Sequence, residues 1–538
     1  MIPGLMQASP LTTTSIMRFA EVAHGDVEIV SRRLNGRRHR YSWAGMAARA
    51  RRLANALRGL GVKSGDRVAT LAWNTHRHLE LFYAVPGLGA VLNTVNPRLP
   101  DEQIIYIINH AEAGVIFYDK TFQPLIERIS GKLTSIKTRV IMADEHDPQV
   151  TGVPSLSYEA LLAQQTDTMT WPVLDENGAS ILCYTSGTTG DPKGVLYSHR
   201  SVVLHAMAAG LPGAFGLSAF DVVMPCASMY HVTAWGLPFV AAINGCKLVL
   251  PADKFDGANL QELLVDEGVT FAAGVPTIWT NFLEHLGRTG EQPGQLKRLL
   301  VGGSAVPQSL ANSFRLGYGI DIIQAWGMTE MCPLGVVSTP TPALAALGEA
   351  AMDEAIAARQ GRLLFGSELK VRSEEGVDLP HDGVSEGALL ARGPWTIERY
   401  FRADMRATDD DGWFDTGDIA TIDKFGFMRI TDRKKDIIKS GGEWISSIEI
   451  ENLAICCPGV RVAAVIGVRH AKWEERPLLV IEPHAGAHPE KSEVLGFLEP
   501  RMTKWWLPDD VIVAPVPLTA TGKIDKKLLR TIYKEHLL

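Results

Sequence analysis

Cysteine is scarce in this sequence, and neither sign of charge is in large excess. The 538 residues include six cysteines, none in a CxxC arrangement, which argues against a secreted disulfide framework and against a zinc ribbon. Lys and Arg number 53 and Asp and Glu 60, a net charge of −7, so the chain lacks the bulk basic character of a nucleic-acid-binding protein. With 50 Gly and 30 Pro, it is neither collagen-like nor disordered.

The sequence also lacks an uninterrupted hydrophobic run long enough to cross a membrane. Residues 201–220 and 222–246 carry no Asp, Glu, Lys or Arg, and only Asp221 separates them. Prolines, glycines and His231 interrupt the two stretches, whereas a span needs about 20 continuous apolar residues. We therefore expect buried core with a ligand pocket here and no membrane span. The N-terminus has no basic segment followed by an apolar block, so we expect a cytoplasmic protein.

The first third of the chain alternates helix and strand signals. Ser42 is a plausible N-cap for a helix whose apolar residues recur at about 3.5-residue spacing and which ends near Gly61. Further segments follow in this order: strand 67–72, helix 77–85, helix 101–110, strand 115–118 and strand 140–142. Short strands separated by helices indicate βαβ units and a largely parallel sheet covered on both faces. The predicted fold class is therefore α/β.

The pattern changes beyond about Gly361. Residues 368–372 alternate polar and apolar, and Gly-containing turns punctuate short strands, which predicts a β-rich subdomain. A basic joint at residues 432–436 precedes renewed α/β alternation, with an apolar strand at 462–468. We therefore predict a large N-terminal domain, residues 1–432, and a small mobile C-terminal α/β domain, residues 433–538. The Ala-rich residues 343–358 predict one ordinary helix.

The sharpest chemical signal is the loop at residues 184–195, YTSGTTGDPKGV. Its glycines allow backbone N–H groups to converge, its Ser and Thr hydroxyls donate hydrogen bonds, and Lys193 adds a positive charge. This combination is typical of an anion site. The spacing of Gly187, Gly190 and Lys193 differs from that of a Walker A loop.

The loop resembles the phosphate-binding signature of the adenylate-forming superfamily, which includes acyl-CoA synthetases, nonribosomal adenylation domains and firefly-type luciferases. Further resembling motifs follow in that family's order: MYH at 229–231, GGSAVP at 302–307, WGMTE at 326–330, TGD at 416–418, residues 432–443, and TGK at 521–523. The resemblance spans roughly residue 40 to the C-terminus. HVTAW at 231–235 and KWEERP at 472–477 look like the fatty acyl-CoA synthetase branch, and the subgroup it most resembles acts on 3-methylmercaptopropionate.

The resemblance implies a set of site residues. Those implied for ATP binding are Thr185, Ser186, Gly187, Thr188, Thr189, Gly190, Lys193, Gly303, Ser304, Ala325, Trp326, Gly327, Met328, Thr329, Asp418, Arg433 and Lys523. Those implied for catalysis are Lys523, His231 and Glu330, and for the acyl pocket His231, Trp235, Gly302 and Gly327. The implied Mg²⁺ ligands are Thr185 and Glu330, the CoA path is Gly441, Gly442, Glu443 and Trp444, and the hinge is Lys435.

The side-chain chemistry of several of these residues suits the implied roles even without the family resemblance. The Asp418 carboxylate can accept from both ribose hydroxyls, and Arg433 can add a ribose or phosphate contact. Trp326 offers a flat face for adenine, and Glu330 is a hard oxygen ligand suited to Mg²⁺ beside phosphates. Lys523 can neutralise a carboxylate and an α-phosphate as they approach. In isolation, an Asp in a turn or a Lys in a basic tail would be read as solvated surface.

We therefore predict an ATP-dependent acid–CoA ligase that works through an acyl-adenylate and releases AMP and pyrophosphate. The expected partners are the carboxylic acid, ATP and CoA, and we expect a homodimer. Two alternatives stay open: an adenylating enzyme that loads a carrier protein or an oxygen acceptor, and a non-catalytic nucleotide-binding relative.

The acid itself is expected to be short or medium in length, such as 3-methylmercaptopropionate. It should carry no amine, since no carboxylate occurs between Asp221 and Asp253 to hold an ammonium. If the segment after His231 is helical, Trp235 lies one turn further on and faces the same cavity. Trp235 would then cap or gate the pocket; ordinary core packing is the alternative.

Overall fold

A computed structural model describes residues 2, 4–144, 152–185, 191–357, 359–441, 443–519 and 522–538. The strands are β1 (Glu28–Arg32), β2 (Arg38–Ser42), β3 (Arg67–Leu71), β4 (Val91–Thr94), β5 (Ala113–Asp119), β6 (Thr138–Met142), β7 (Leu156–Ser157), β8 (Ala179–Tyr184), β9 (Gly194–Ser198), β10 (Val222–Pro225), β11 (Lys247–Leu250), β12 (Phe271–Gly274), β13 (Arg298–Gly302), β14 (Asp321–Gly327), β15 (Leu334–Val337), β16 (Gly361–Leu363), β17 (Glu368–Arg372), β18 (Gly387–Arg392), β19 (Phe414–Ile422), β20 (Phe427–Arg433), β21 (Ile438–Ser440), β22 (Glu443–Ile445), β23 (Val460–His470), β24 (Glu474–Pro483) and β25 (Asp510–Val513).

The α-helices lie mostly between these strands. They are α1 (Thr13–Ala23), α2 (Trp43–Gly59), α3 (His76–Gly87), α4 (Asp101–Ala111), α5 (Gln123–Ile129), α6 (Tyr158–Ala163), α7 (His199–Gly210), α8 (Leu237–Asn244), α9 (Gly257–Asp266), α10 (Pro276–Thr289), α11 (Gln308–Tyr318), α12 (Pro342–Ala345), α13 (Glu349–Ala357), α14 (Ser447–Ile455), α15 (Lys491–Leu498) and α16 (Lys526–Ile532).

The N-terminal sheet has the order β7-β6-β5-β3-β4-β8-β9 and is parallel except for the β8–β9 pair. Local sequence explains its helices well: the Ser42 hydroxyl accepts from the Gly45 N–H at 3.3 Å and so caps α2 as predicted. Strand order reverses between β3 and β4, which is the arrangement of a doubly wound sheet. The predicted α/β fold class is confirmed.

A second, larger sheet has the order β17-β18-β19-β20-β16-β15-β14-β13-β12-β10-β11-β1-β2. Its central strands β10 to β14 are parallel, whereas β14 to β20 pair antiparallel. The β-rich region predicted beyond Gly361 is therefore present, and it extends this sheet through the β16–β15 pair.

The C-terminal domain has its own sheet, β22-β21-β24-β23, with β25 added in parallel to β24. Apolar residues on the two faces of β23 and β24 enter separate buried clusters, one under α14 and α15 and one under α16. This domain consequently carries a core of its own.

One predicted element is wrong. Residues 343–358 do not form a single helix, because α12 ends at Ala345 and α13 begins at Glu349. Between them Gly348 adopts φ +91°, a left-handed conformation that interrupts a helix and that glycine tolerates well. The Ala-rich composition raised helix propensity without revealing this break.

Most of the charge-poor residues 201–246 are buried, as expected, although Met207, Leu211 and Phe220 are exposed. Leu237 and Phe239 of α8 are 0% and 1% exposed in the largest apolar cluster of the N-terminal domain. Within the described residues, no helix combines the length and the apolar character that crossing a membrane requires.

Candidate active site

The predicted site residues lie where the strands of the two N-terminal sheets end. Strand β8 runs directly into Thr185, β13 ends at Gly302, and β14 ends at Gly327. Because the carboxyl ends of parallel strands form the usual crevice for ligands in α/β proteins, this edge is the natural place for a binding site. An Asn74–Ala252 backbone bridge joins the chain after β3 to the chain after β11.

The two ends of the predicted phosphate loop are held together by the β8–β9 hairpin. Tyr184 pairs with Gly194, and the Thr185 N–H donates to the Lys193 carbonyl at 2.9 Å. The Lys193 side chain is exposed, with its Nζ 4.9 Å from the centre of the Tyr400 ring. Five predicted ATP contacts, Ser186, Gly187, Thr188, Thr189 and Gly190, lie outside the described residues.

Glu330 sits in a tight turn between β14 and β15. A Cβ on Gly327 would lie 2.1 Å from the Pro333 carbonyl oxygen, so only glycine fits where the turn closes. The Glu330 carboxylate is 8% exposed, and its Oε1 accepts from the Tyr400 hydroxyl at 2.8 Å. The motif WGMTE thus combines a close-packed glycine with a buried, oriented carboxylate.

Asp418 and Arg433 face each other across adjacent strands. They are paired in the β19–β20 register, and the Arg433 Nε lies 3.2 Å from Asp418 Oδ1. The Trp326 indole N–H donates to the other carboxylate oxygen, Asp418 Oδ2, at 2.9 Å. Burial raises the pKa of Asp418, and the charge of Arg433 and the Trp326 hydrogen bond oppose that rise. Three residues from distant motifs therefore meet at one carboxylate.

Trp326 is 7% exposed and packs against neighbouring backbone, since a Cβ on Gly335 would lie 2.6 Å from its ring. It belongs to a buried cluster that includes Met331 and Leu369. Core packing and the bond to Asp418 are thus established for Trp326, and contact with adenine stays a prediction.

Lys523 reaches the N-terminal domain from a turn near the C-terminus. The Thr519 N–H donates to the Lys523 carbonyl at 2.7 Å, and a Cβ on Gly303 would lie 3.8 Å from Lys523 Cε. Desolvation and the nearby Arg433 lower the pKa of Lys523 to about 8, against the opposing pull of Asp418. The structure therefore places Lys523 beside the predicted nucleotide site.

In the acyl-pocket segment, the condition that would place Trp235 one helical turn past His231 is not met. Val232, Thr233, Ala234 and Trp235 have φ of +45°, +45°, +50° and +56°, and Gly236 has +78°, so this turn is left-handed. Such backbone costs about 1–2 kcal/mol per non-glycine residue and persists only when the surroundings hold it. His231 and Trp235 are consequently not one right-handed helical turn apart.

Trp235 nevertheless lies against a predicted pocket residue. A Cβ on Gly302 would lie 3.6 Å from the far edge of the Trp235 ring and 2.7 Å from the Ala325 carbonyl oxygen, so glycine is required there. His231 lies at the start of the turn, where burial and the charge of Lys523 lower its pKa to about 3. His231 is therefore neutral near pH 7.

The structure adds residues that sequence reasoning missed. A cavity of about 150 Å³ lies beyond Ser304, lined by Ala305, Gln324 and Ile430 of the N-terminal domain and by Ile448 and Asn452 of the C-terminal domain. Gln324 is 5% exposed and precedes the predicted Ala325; a buried polar residue in an apolar strand was the available signal. Tyr400 and Ile430 carried no local signal.

The predicted CoA-path residues lie away from this cluster. Gly441 packs against Trp473 and Trp505 of the C-terminal domain, and the Glu443 and Trp444 side chains are exposed. Gly442 lies outside the described residues. Across the described part of the chain, the structure records no hydrogen bond from Glu443 or Trp444 to the residues around Lys523.

The predicted hinge is a turn at the end of β20. The N–H groups of Asp436 and Ile437 donate to the Arg433 carbonyl at 2.8 and 2.9 Å, and the Lys435 side chain is exposed. Arg530 of α16 pairs with Asp436 at 2.8 Å, which ties the C-terminal helix to the joint.

The donor chemistry of the site fits Mg²⁺. Among the described residues, no group of three or more His, Cys, Asp or Glu side chains is placed to hold a metal ion. Glu330 with the Thr185 hydroxyl would therefore be a partial oxygen set, which suits an ion that keeps several waters and binds substrate phosphates.

The chain belongs to the AMP-binding enzyme family. Residues 18–401 match the AMP-binding enzyme family, and residues 449–523 match the AMP-binding enzyme C-terminal domain. The chain is 48% identical to a 3-methylmercaptopropionyl-CoA ligase of Ruegeria lacuscaerulensis, covering 99% of both chains. It is also 48% identical to a medium-chain-fatty-acid–CoA ligase of Ectopseudomonas oleovorans, covering 99% of this chain and 98% of that one.

Solved structures agree with this assignment. The crystal structure of the anthranilate CoA ligase AuaEII in complex with anthranoyl-AMP matches with a TM-score of 0.87 and 25% identity, covering 98% of this chain and 99% of that chain. ATP-bound MatB from Rhodopseudomonas palustris matches with a TM-score of 0.83 and 25% identity, covering 98% and 100%. The predicted family and the predicted activity class, an AMP-forming acid–CoA ligase, are confirmed.

Proposed function

We propose that this ligase activates a short or medium-chain acid with no charge beyond its carboxylate, such as 3-methylmercaptopropionate, and that the clustered residues hold its reactants. The observation that carries the proposal is the position of Lys523 beside Gly303, with Asp418, Arg433 and Glu330 close enough to influence its charge. Five separate motifs supply these groups.

In the first step, the acid carboxylate attacks the α-phosphate of ATP, and pyrophosphate leaves. Asp418 accepts hydrogen bonds from the ribose hydroxyls, and the paired Arg433 opposes the rise in the pKa of Asp418 that burial causes. Lys193 and the loop at residues 185–190 bind the phosphates. Lys523 neutralises the two anions as they approach, so that catalysis is mainly positioning and charge stabilisation.

The nucleotide base is assigned to the cavity beyond Ser304. Gln324 and the backbone of Ser304 and Ala325 would supply its polar contacts, with Ile430 on one side. This assignment is supported by Ala305 and Gln324, which line the cavity and are the sequence neighbours of Ser304 and Ala325. Trp326 would contact the base with the edge of its ring and would position Asp418 through the indole hydrogen bond.

Mg²⁺ is proposed as the metal. When bound, it would neutralise phosphate charge, with Glu330 and Thr185 as its protein ligands. Glu330 is suited to this because burial and the Tyr400 hydrogen bond restrict its carboxylate.

The second step, attack of the CoA thiol on the acyl-adenylate, requires a different arrangement. We assign residues 1–432 and 433–538 to two domains that rotate about Lys435. Rotation would withdraw Lys523 and bring Gly441, Gly442, Glu443 and Trp444 toward the acyl group as the pantetheine path. The exposure of Glu443 and Trp444 outside the cluster supports this assignment.

The pocket favours an acid without an amine. Asp221, which precedes β10, is engaged elsewhere: it accepts from Thr270 at 3.0 Å and pairs with Arg298 at 2.7 Å. The turn at 232–236 is mostly buried apolar surface, and the acyl pocket is assigned to His231, Trp235, Gly302 and Gly327. A buried substrate ammonium would find no carboxylate on this segment.

The deciding experiment is CoA-dependent AMP formation with a panel of acids: 3-methylmercaptopropionate, butyrate, octanoate, palmitate and phenylalanine. We expect the highest kcat/KM among the first three and no activity with phenylalanine. A preference for palmitate, or robust activity with the amino acid, would contradict the proposed pocket. AMP formation only in the presence of a carrier-protein thiol would instead support the carrier-loading alternative.

We further propose a cytoplasmic homodimer. Five of the six free cysteines are buried and Cys456 is exposed, which suits a reducing compartment. Phe19 and Val22, three residues apart on α1, are 49% and 86% exposed, and a second copy would cover this apolar face. Size-exclusion chromatography with light scattering tests the dimer, and Val22→Glu should yield a monomer.

A further inference from the structure

Tyr400 lies between two groups that the proposed function assigns to the phosphates and the metal. Its hydroxyl donates to Glu330 Oε1 at 2.8 Å, and its ring lies under the Lys193 ammonium, 4.9 Å from Nζ to the ring centre. Among the described residues, this is the only hydrogen bond that reaches the Glu330 carboxylate. One part-buried side chain thus contacts both the predicted loop lysine and the predicted metal ligand.

The backbone around Tyr400 is attached to the same two elements. The Ile397 N–H donates to the Glu330 carbonyl at 2.7 Å, and the Phe401 N–H donates to the Gly194 carbonyl at 2.8 Å. Residues 397–401 therefore bridge the Glu330 turn and the strand that leaves the phosphate loop. The position of Tyr400 is set by its backbone on both sides.

We propose that Tyr400 is a positioning residue that orients the Glu330 carboxylate toward the metal and sets the Lys193 ammonium over the phosphates. The inference rests on the proposed roles of Glu330 and Lys193.

The two contacts of Tyr400 act in different ways. By occupying one oxygen of Glu330, the hydroxyl limits rotation of the carboxylate and leaves the other oxygen for the metal; partners of this kind tune metal affinity. The ring contributes a cation–π attraction, which restricts the flexible lysine. The phenol hydroxyl is the donor of this bond, and the carboxylate oxygen accepts.

Two substitutions separate these contacts. Tyr400→Phe removes the hydroxyl and keeps the ring under Lys193, whereas Tyr400→Leu removes both. Tyr197→Phe is the matched control, because the Tyr197 hydroxyl donates to the same turn but to the Thr329 backbone carbonyl, at 2.6 Å. Glu330→Gln tests the metal ligand itself.

The measurement is ATP binding to the full-length protein by isothermal titration calorimetry, without acid or CoA, across a series of Mg²⁺ concentrations. We take the Mg²⁺ concentration at which half of the Mg²⁺-dependent increase in ATP affinity is reached. For Tyr400→Phe, we expect this concentration to rise about tenfold or more. The affinity for ATP without Mg²⁺ should be unchanged. Tyr400→Leu should in addition weaken Mg²⁺-free binding about two- to fivefold. Tyr197→Phe should lower the melting temperature and leave the Mg²⁺ dependence as in the wild type.

The outcomes distinguish the inference from the proposal beneath it. If Glu330→Gln shifts the Mg²⁺ dependence and Tyr400→Phe does not, the role of Tyr400 is wrong and that of Glu330 stands. An equal shift in Tyr197→Phe would also overturn the inference, because any loss of a hydroxyl at this turn would then suffice. If Glu330→Gln itself has no effect, the proposed metal site is wrong.

Discussion

At the scale of single residues, the unusual feature of this site is a lysine held among charges of both signs. Lys523 lies near Arg433, Asp418, Lys435 and Glu330, and its pKa falls to about 8. Burial disfavours the charged ammonium, so the free enzyme holds this charge only weakly. An incoming carboxylate and phosphate would stabilise it where the proposed reaction uses it.

Replacement of Lys523 by alanine should therefore affect the two half-reactions unequally. We expect Lys523→Ala to slow adenylation by about 10²–10³, the usual loss for one electrostatic contact to a transition state. Thioester formation from supplied acyl-adenylate should be almost unchanged, since the charge has no anion pair to neutralise there. Rapid-quench measurement of each half-reaction decides the point, and equal damage to both would contradict the assigned role.

The lowered pKa of Lys523 also predicts a pH dependence. Below pH 8 the ammonium is charged and adenylation should be at its plateau; as pH rises through about 8, the charge is lost and kcat/KM for ATP should fall. The assay is pyrophosphate release without CoA, which avoids titration of the thiol. Lys523→Arg should be slower overall but flat between pH 7 and 9.5, because guanidinium stays protonated. A wild-type profile equally flat would show that Lys523 titrates outside this range.

At the scale of elements, the left-handed turn at 232–236 is the part of the chain with the least intrinsic support. Four non-glycine residues take positive φ there, and burial of Val232, Thr233 and Ala234 holds them in place. Gly236 cannot be replaced easily, because a Cβ would lie 2.7 Å from the His205 ring. The turn presents Trp235 to Gly302, where the proposed acyl pocket lies.

Truncation of Trp235 tests whether the turn limits the chain length of the acid. We expect Trp235→Ala to move the optimum of kcat/KM toward longer straight-chain acids, because the ring lies against Gly302 at the pocket wall. Each added methylene changes kcat/KM by only about tenfold or somewhat more. The wild-type enzyme should therefore accept a broad range of chain lengths around its optimum. A lower melting temperature with an unchanged chain-length profile would assign Trp235 to core packing alone.

At the scale of the whole molecule, the arrangement of the domains determines which chemistry the site is set up for. Lys523 is beside Gly303, whereas Trp444 is 37% exposed on its own domain. This is the arrangement expected for adenylation. We propose that thioester formation uses a rotation about the Arg433–Ile437 turn.

Spin labels can test this rotation because the chain offers a convenient site. Cys456 is exposed and the other five cysteines are buried, and Leu316 on α11 of the N-terminal domain is 85% exposed. We expect the distance between labels at Cys456 and Leu316→Cys to change when a non-hydrolysable acyl-adenylate analogue and CoA replace ATP.

Lys435→Pro should abolish that change, spare adenylation and block thioester formation, since proline fixes φ near −65°. Leu316→Cys combined with Cys456→Ser controls for labelling. Normal turnover of CoA by Lys435→Pro would place the hinge elsewhere.

Much of the fold follows from local patterns. The Ser42 cap and the helix at 43–59 depend on contacts within a few residues, and the alternating burial of the strand at 368–372 follows its alternating sequence. The predicted helix across 343–358 failed because composition alone does not show where a glycine takes positive φ. The right-handed helical turn on which the placement of Trp235 was conditional is absent, because long-range packing outweighs the local preference for such a turn.

The sequence by itself determined the α/β class, the family and the order of the motifs, because each motif is contiguous and the periodicity that distinguishes a helix from a strand is a local pattern. Only the tertiary structure decided which groups meet: Trp326 with Asp418, Tyr400 with Glu330, and Lys523 with Gly303. These contacts join residues 70 or more positions apart. No spacing rule specifies them, because they depend on how the sheets align their strand ends and on where the second domain docks.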